Sequence, residues 1–171
     1  MEIRFLADVP GHVDTLARWH HGEWGALYAD WSLADAAAEL RDHATRRTRP
    51  TTLVALDGDA LVGSVSLVDE DAPEFADRGD AWLASLYVVP AARGRGLGAA
   101  LAQALAAHAT ALGLDRLWLH PPPRRFLREA RLAVRCPRLP PRHPRHADGE
   151  NRGRSMINFP FVPSAPTLTE N

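Results

Sequence analysis

The chain has 171 residues, a formal net charge of −1, and 46% hydrophobic residues. That is enough to bury a core in one domain of ordinary size, and it argues against wholesale disorder. No apolar run approaches the ~18–20 residues of a membrane span, no charged-then-apolar signal peptide opens the chain, and a single cysteine, Cys136, excludes an internal disulfide and a Cys-based zinc site. These features point to the cytoplasm and to no membrane partner.

The net charge averages two unlike parts. Residues 1–120 hold ten Arg and 17 acids, whereas residues 121–171 hold ten Arg and four acids. Ten of the 14 prolines fall in the second part, and all five Trp and both Tyr fall in the first. There is no lysine; all 20 basic residues are Arg.

In chain order, Glu2 to Ala7 reads as a strand with Ile3 and Phe5 on one face. Asp8 can cap a helix and Pro10 suits its first turn, so a helix is expected to about Tyr28, with Val13, Leu16, Ala17 and Trp24 as its apolar stripe. Ser32 and Asp35 form a capping box with a short acid, opening a helix from Leu33 to about Thr45. Thr51 to Leu56, the turn at Asp57-Gly58-Asp59, and Ala60 to Val68 make a hairpin. An acidic loop runs from Asp69 to Asp80, where a solvated surface is the plainer reading and attraction of a cationic substrate the functional one. Ala81 to Val89 is a strand, Gly96 to Gly113 an Ala/Leu-rich helix, and Leu117 to His120 the start of another strand. The order β-α-α-β-β-β-α-β makes an α/β fold, a mixed sheet with flanking helices. After His120, Pro121-Pro122-Pro123 stops any element, and Arg, Pro and His alternate without period. The domain is therefore placed at residues 1–120 and an irregular or disordered tail at 121–171, with the C-terminal strands missing or irregular.

Chemistry resides in Arg93-Gly94-Arg95-Gly96-Leu97-Gly98, between an apolar strand and a good helix. Three glycines in five residues let the backbone bend tightly and approach a ligand. Free N–H groups at the following helix start, the helix dipole and two arginines make a pyrophosphate cradle. Gly94-x-Gly96-x-x-Ala99 also fits a dinucleotide fingerprint, but that motif expects an acid at the end of the next strand, where His120 stands. A lysine-dependent phosphate loop is excluded because the chain has no lysine. A plain Gly-rich turn is the remaining alternative.

Arg93-x-x-Gly96-x-Gly98, after a strand ending in Val-x-Pro, resembles the acetyl-CoA site of the GNAT N-acetyltransferase superfamily, and the order of elements is similar too. The resemblance implies acetyl-CoA as co-substrate, no metal, and direct attack of a neutral amine in a ternary complex. It implies that the main chain of Leu86, Tyr87 and Val88 pairs with the pantetheine arm. The amides of Arg93, Gly94, Arg95, Gly96, Leu97, Gly98 and Ala99 would hold the pyrophosphate, and the Val88 N–H would polarise the thioester carbonyl. The partner is then a small-molecule or peptide amine, and a homodimer is left open. No catalytic base is readable. The His20-His21-Gly22-Glu23-Trp24 cluster on the first helix would line the substrate side, with Glu23 attracting a cationic amine and Trp24 or Tyr28 giving it a wall; the competing reading makes Trp19 and Trp24 core and Glu23 a solvated charge. His143, His146 and Cys136 are too few ligands for a metal site.

The pattern breaks after His120. Family members continue into a helix opening with Phe-Tyr, followed by Gly-Trp or Gly-Phe, and that Tyr commonly protonates the leaving thiolate. Here Arg125 to Val134 take the place, and no Tyr lies beyond Tyr87. One alternative is a catalytically inactive acyl-CoA-binding module with a basic tail for nucleic acid, although the tail offers only Phe126, Phe159 and Phe161 for base stacking. The other is a shifted reading frame near His120, which would leave cofactor binding but compromise transfer. The codons CGG TTT CTA CGC GAG GCT CGG CTG GCG GTG encode Arg125 to Val134; read one base later they give Gly-Phe-Tyr-Ala-Arg-Leu-Gly-Trp-Arg, the missing motif. Met156-Ile157 requires ATG followed by A, so the same frame meets a stop there. The expected gene sequence over residues 121–155 thus contains Phe-Tyr-Ala-Arg-Leu-Gly-Trp one base out of frame. DNA lacking it would mean a genuinely divergent tail.

Overall fold

A computed structural model describes residues 1–28, 30–69, 81–114 and 116–119, with the main chain of 157–160. Strand β1 (Glu2–Phe5) leads through two short 3-10 turns into helix α1 (Val13–Trp24). Helix α2 (Leu33–His43) follows, then the hairpin β2 (Thr51–Asp57) and β3 (Ala60–Val68), and strand β4 (Trp82–Val88). A 3-10 turn at Pro90–Ala92 opens into helix α3 (Leu97–Ala111), followed by β5 (Arg116–Leu119) and β6 (Ile157–Pro160). The sheet runs in the order β1-β2-β3-β4-β5-β6, with every pair antiparallel except β4–β5. The expected order of elements and the mixed α/β class are both found.

Several elements end a few residues short of the sequence reading, α1 at Trp24 rather than near Tyr28 among them, and two further differences stand out. The first helix starts at Val13 rather than near Asp8. Val9 has φ −138° and ψ 55°, outside the helical region, and Pro10 then opens a separate 3-10 turn. Asp8 caps nothing; its carboxylate accepts from Arg47 at 2.5 Å. The second difference is β6, a strand in a segment whose sequence carries no strand period, pairing Leu119 with Ile157 and Arg116 with Pro160. The rest of 120–171, including the segment read as frame-shifted, lies outside the described residues, as does the acidic loop 70–80. Asp69, described, pairs with Arg49 at 2.5 Å.

The capping box at α2 forms as its residues suggest. Ser32 Oγ accepts from the Asp35 N–H at 3.2 Å, and Asp35 Oδ2 accepts from the Ser32 N–H at 2.9 Å. The Ser32 bonds also hold the Asp35 carboxyl below its ordinary pKa.

The sheet separates two cores. On one face α3 buries Leu97, Leu101, Leu105 and Ala109 against Leu53, Val65, Leu67, Leu83 and Leu117. On the other, α1 and α2 bury Leu16, Ala17, Ala36 and Leu40 against Val54 and Leu56. Burying each of these leucines contributes roughly 1.5–3 kcal/mol, so the two layers clamp the sheet from both sides. Close approach matters most at Gly63, opposite Val88. A Cβ there would meet the Tyr87 carbonyl oxygen at 2.9 Å and Leu101 Cδ1 at 3.1 Å. Gly63→Ala should therefore lose about 1–3 kcal/mol in urea denaturation, because the nearer atom is backbone. An unchanged midpoint would show that β3, β4 and α3 have room to move apart.

Candidate active site

The site is defined by a change of partner along β4. Against β3, β4 pairs from Trp82 to Val88. Against β5 it pairs only at Trp82 and Leu83, whose ladder is reinforced by stacking of Trp82 on Trp118 at 5.9 Å. Among the described residues, Ala84 to Val88 have no strand partner on the β5 side. A bulge sits in the same stretch: Ser85 and Leu86 together oppose Val65. Ser85 is held at φ 51°, a left-handed conformation that costs a residue with a side chain on the order of 1 kcal/mol.

Strand geometry directs the main-chain groups here. The Val89 N–H donates to the Val62 carbonyl at 3.0 Å, toward β3. Successive N–H groups of a strand alternate sides, so the Val88 N–H faces the β5 side, away from β3. Leu86 and Val88 pack their side chains toward the α3 core, while the Tyr87 ring turns to the α1 face.

The glycine motif begins five residues beyond Val88. Gly94 and Gly96 take φ values of 76° and 77°, conformations that glycine adopts without steric cost. Gly96 is the N-cap of α3 and has no side chain to supply a cap bond. Among the described residues, the N–H groups from Gly94 to Ala99 donate to no acceptor; the first internal bond is Ala100 N–H to the Gly96 carbonyl at 3.0 Å. Unsatisfied amides at the positive end of a four-turn helix are an anion site in waiting. Arg95 is exposed beside them. Arg93 turns back instead: its Nε donates to the Val88 carbonyl at 2.8 Å, and its guanidinium lies 5.8 Å from the Tyr87 ring centre.

On the α1 side, Trp24 is half-buried and contacts the rings of His20 at 5.2 Å and Tyr87 at 6.4 Å. Glu23 is exposed on the same helix end. Trp19 both packs on the α1–α2 core and meets Tyr87 at 5.4 Å.

His20, expected with its cluster on the amine side, is instead buried, and so is His43, which the sequence did not single out. His20 Nε2 lies 3.0 Å from Ser64 Oγ, and His43 Nδ1 lies 2.9 Å from Thr52 Oγ1, which in turn lies 2.8 Å from Ser66 Oγ. The available signal was the alternation Ser64-Val65-Ser66, whose polar face needs buried partners. Burial, with a smaller effect of His43, pushes the His20 pKa down to about 4. Burial also lowers His43, against the opposing pull of Asp42.

Among the described residues no group of three or more His, Cys, Asp or Glu side chains could hold a metal ion. No described helix is long and apolar enough to cross a membrane.

Residues 14–130 match the acetyltransferase (GNAT) family. The chain belongs to that family. Among solved structures, an aminoglycoside 6'-acetyltransferase type Ii superposes with a TM-score of 0.67 at 18% identity, over 96% of this chain and 100% of that one. An aminoglycoside 6'-N-acetyltransferase complexed with coenzyme A gives 0.54 at 21% identity, over 70% of this chain and 61% of that one. The PaiA N-acetyltransferase of Thermoplasma acidophilum, in complex with coenzyme A, gives 0.57 at 12% identity, over 94% and 100%. At these identities the likeness is one of fold. Among curated protein sequences none matches this chain.

The histidines make stability fall in acid. A lowered folded pKa means that the unfolded chain takes up protons the folded chain refuses, so the contribution is complete above about pH 6.5 and is lost as pH falls toward 4. His20 alone should lower the unfolding free energy by about 2 kcal/mol between roughly pH 7.5 and 5. Urea denaturation at the two pH values measures this, and His20→Gln should flatten the dependence. Equal slopes in both proteins would remove His20 as its source.

Proposed function

We propose that this protein transfers an acetyl group from acetyl-CoA to a primary amine of a small molecule or peptide, by direct attack in a ternary complex. The observation that carries this reading is the row of amides from Gly94 to Ala99 that donate to no described acceptor, at the start of α3 and beside the end of β4. A diphosphate fits there because the two positive-φ glycines leave the amides uncovered: a Cβ built on either meets nothing within 4 Å.

Bound there, acetyl-CoA supplies an activated thioester. The amides of Arg93 to Ala99 hold its diphosphate, although the Arg93 N–H is itself engaged with the Pro90 carbonyl at 3.2 Å, which leaves the stronger share to Gly94 onward. The main chain of Leu86, Tyr87 and Val88 binds the pantetheine arm as a strand would. The Val88 N–H, facing the β5 side, would stabilise negative charge on the thioester carbonyl oxygen. Holding both reactants in one cleft supplies much of the rate. Glu23 and Trp24 belong to the acceptor side in this reading. The neighbours that act on aminoglycosides or hold coenzyme A support a small amine acceptor and this co-substrate. The departure after His120 weakens transfer more than it weakens cofactor binding, since the loop from Gly94 and the end of β4 precede it.

Isothermal titration with acetyl-CoA tests the reading: saturable binding is expected, and Gly96→Val should weaken it at least about tenfold through the positive φ it requires. Folded protein that gives no heat would overturn the cofactor assignment. Transfer can be followed by mass spectrometry of added amines, and the lysine-free chain contributes no acetyl-lysine background.

A further inference from the structure

We propose that Trp19, Trp24 and Tyr87 form the wall of the acceptor site, that His20 positions this wall through Ser64 and Trp24, and that the wall takes an amine carried on one apolar or aromatic body rather than a polycation. This rests on the acyl-transfer reading above.

Tyr87 belongs to both halves of the site. Its main chain lies on the open stretch of β4, and its ring meets Trp19 at 5.4 Å and Trp24 at 6.4 Å. All three aromatic residues are half-buried, so ring surface remains available to a ligand. His20 is different: it is 4% exposed and is fixed at Ser64, the residue directly opposite Tyr87 in the β3–β4 ladder. The imidazole also meets the edge of Trp24 at 5.2 Å. One buried side chain thus ties the end of α1 to the strand pair that carries Tyr87. Burial keeps that imidazole neutral, so the anchor adds no charge beside the amine.

The wall's chemistry decides the acceptor class. The Arg93 guanidinium already lies against Tyr87. A cation beside an apolar wall disfavours the ammonium form and favours the neutral amine, the form that attacks. A single amine on an apolar body gains ring contact and loses its proton more easily. Exposed Glu23, at the end of α1, can pair with one ammonium, whereas the further charges of a polyamine meet the guanidinium and gain little from the rings.

The test is a tryptophan-fluorescence titration of the full chain, saturated with coenzyme A, using phenethylamine and spermidine as probes. Phenethylamine should bind at least about tenfold more tightly than spermidine. Trp24→Ala should weaken phenethylamine about tenfold while leaving coenzyme A affinity within about twofold. His20→Ala should weaken phenethylamine similarly, and His20→Gln, which can keep the bond to Ser64, should recover most of the loss. Where turnover is measurable, the same variants should raise the phenethylamine KM and leave kcat within about threefold. Should His20→Ala fail to fold, the half-exposed Trp24→Ala and the Gln variant carry the test. Spermidine binding as tightly as phenethylamine, no effect of Trp24→Ala, or no recovery by Gln overturns the proposal with the acyl-transfer reading intact. Wild-type protein that fails to bind coenzyme A overturns that reading, and the proposal with it.

Discussion

The structure depends on one constraint: β4 must serve two neighbours of opposite direction. It runs antiparallel to β3 and parallel to β5, and parallel pairing requires a crossover, here α3. A crossover helix begins where the strand ends, so the start of α3 and the last residues of β4 share one edge of the sheet. Among the described residues, β4 pairs with β5 at Trp82 and Leu83 and continues along β3 to Val88. The last residues of β4 and the free amides of α3 therefore lie together. In open α/β sheets such a crevice, at the carboxyl ends of strands whose neighbours diverge, is where ligands bind. The bulge at Ser85 belongs to the same constraint: it breaks the ladder with β3 and changes the direction of the strand just before the cleft.

The two faces of the sheet have divided labour. The α3 face is an apolar layer that fixes the helix, and with it the amides, against the strands. The α1–α2 face mixes apolar packing with buried imidazole and hydroxyl groups. His20, Ser64, His43, Thr52 and Ser66 each have a partner there, as buried groups must when water is excluded, and directional bonds fix a register that apolar contact alone leaves freer. That precision lies on the side where Tyr87, Trp19 and Trp24 converge.

Much of this was legible because it is local. β3 was read at its observed limits, Ala60 to Val68, from a turn signal and a β-rich run. The capping box at Ser32 and Asp35 is a four-residue device and formed as read. The glycine motif announced its bends because glycine alone adopts them freely. The start of α1 was misread because Asp8 and Pro10 are good helix openers in general, whereas the Asp8 carboxylate is occupied by Arg47, 39 residues away. Ser85 carried no signal, since left-handed backbone normally selects Gly or Asn. β6 carried none either: its pairing comes from an available β5 edge rather than from its own pattern.

By itself, then, the sequence determined the family, the order of elements and the glycine bends of the loop from Arg93 to Ala99, because each is written in contiguous residues. Only the tertiary structure decided that β4 pairs in parallel with β5 at Trp82 and Leu83, that Arg93 folds back onto Tyr87, and that His20 meets Ser64 across 44 residues of chain. Those meetings depend on strand register and on how a helix lies across a sheet. Register is set by the packing of whole faces, which no single stretch of sequence contains.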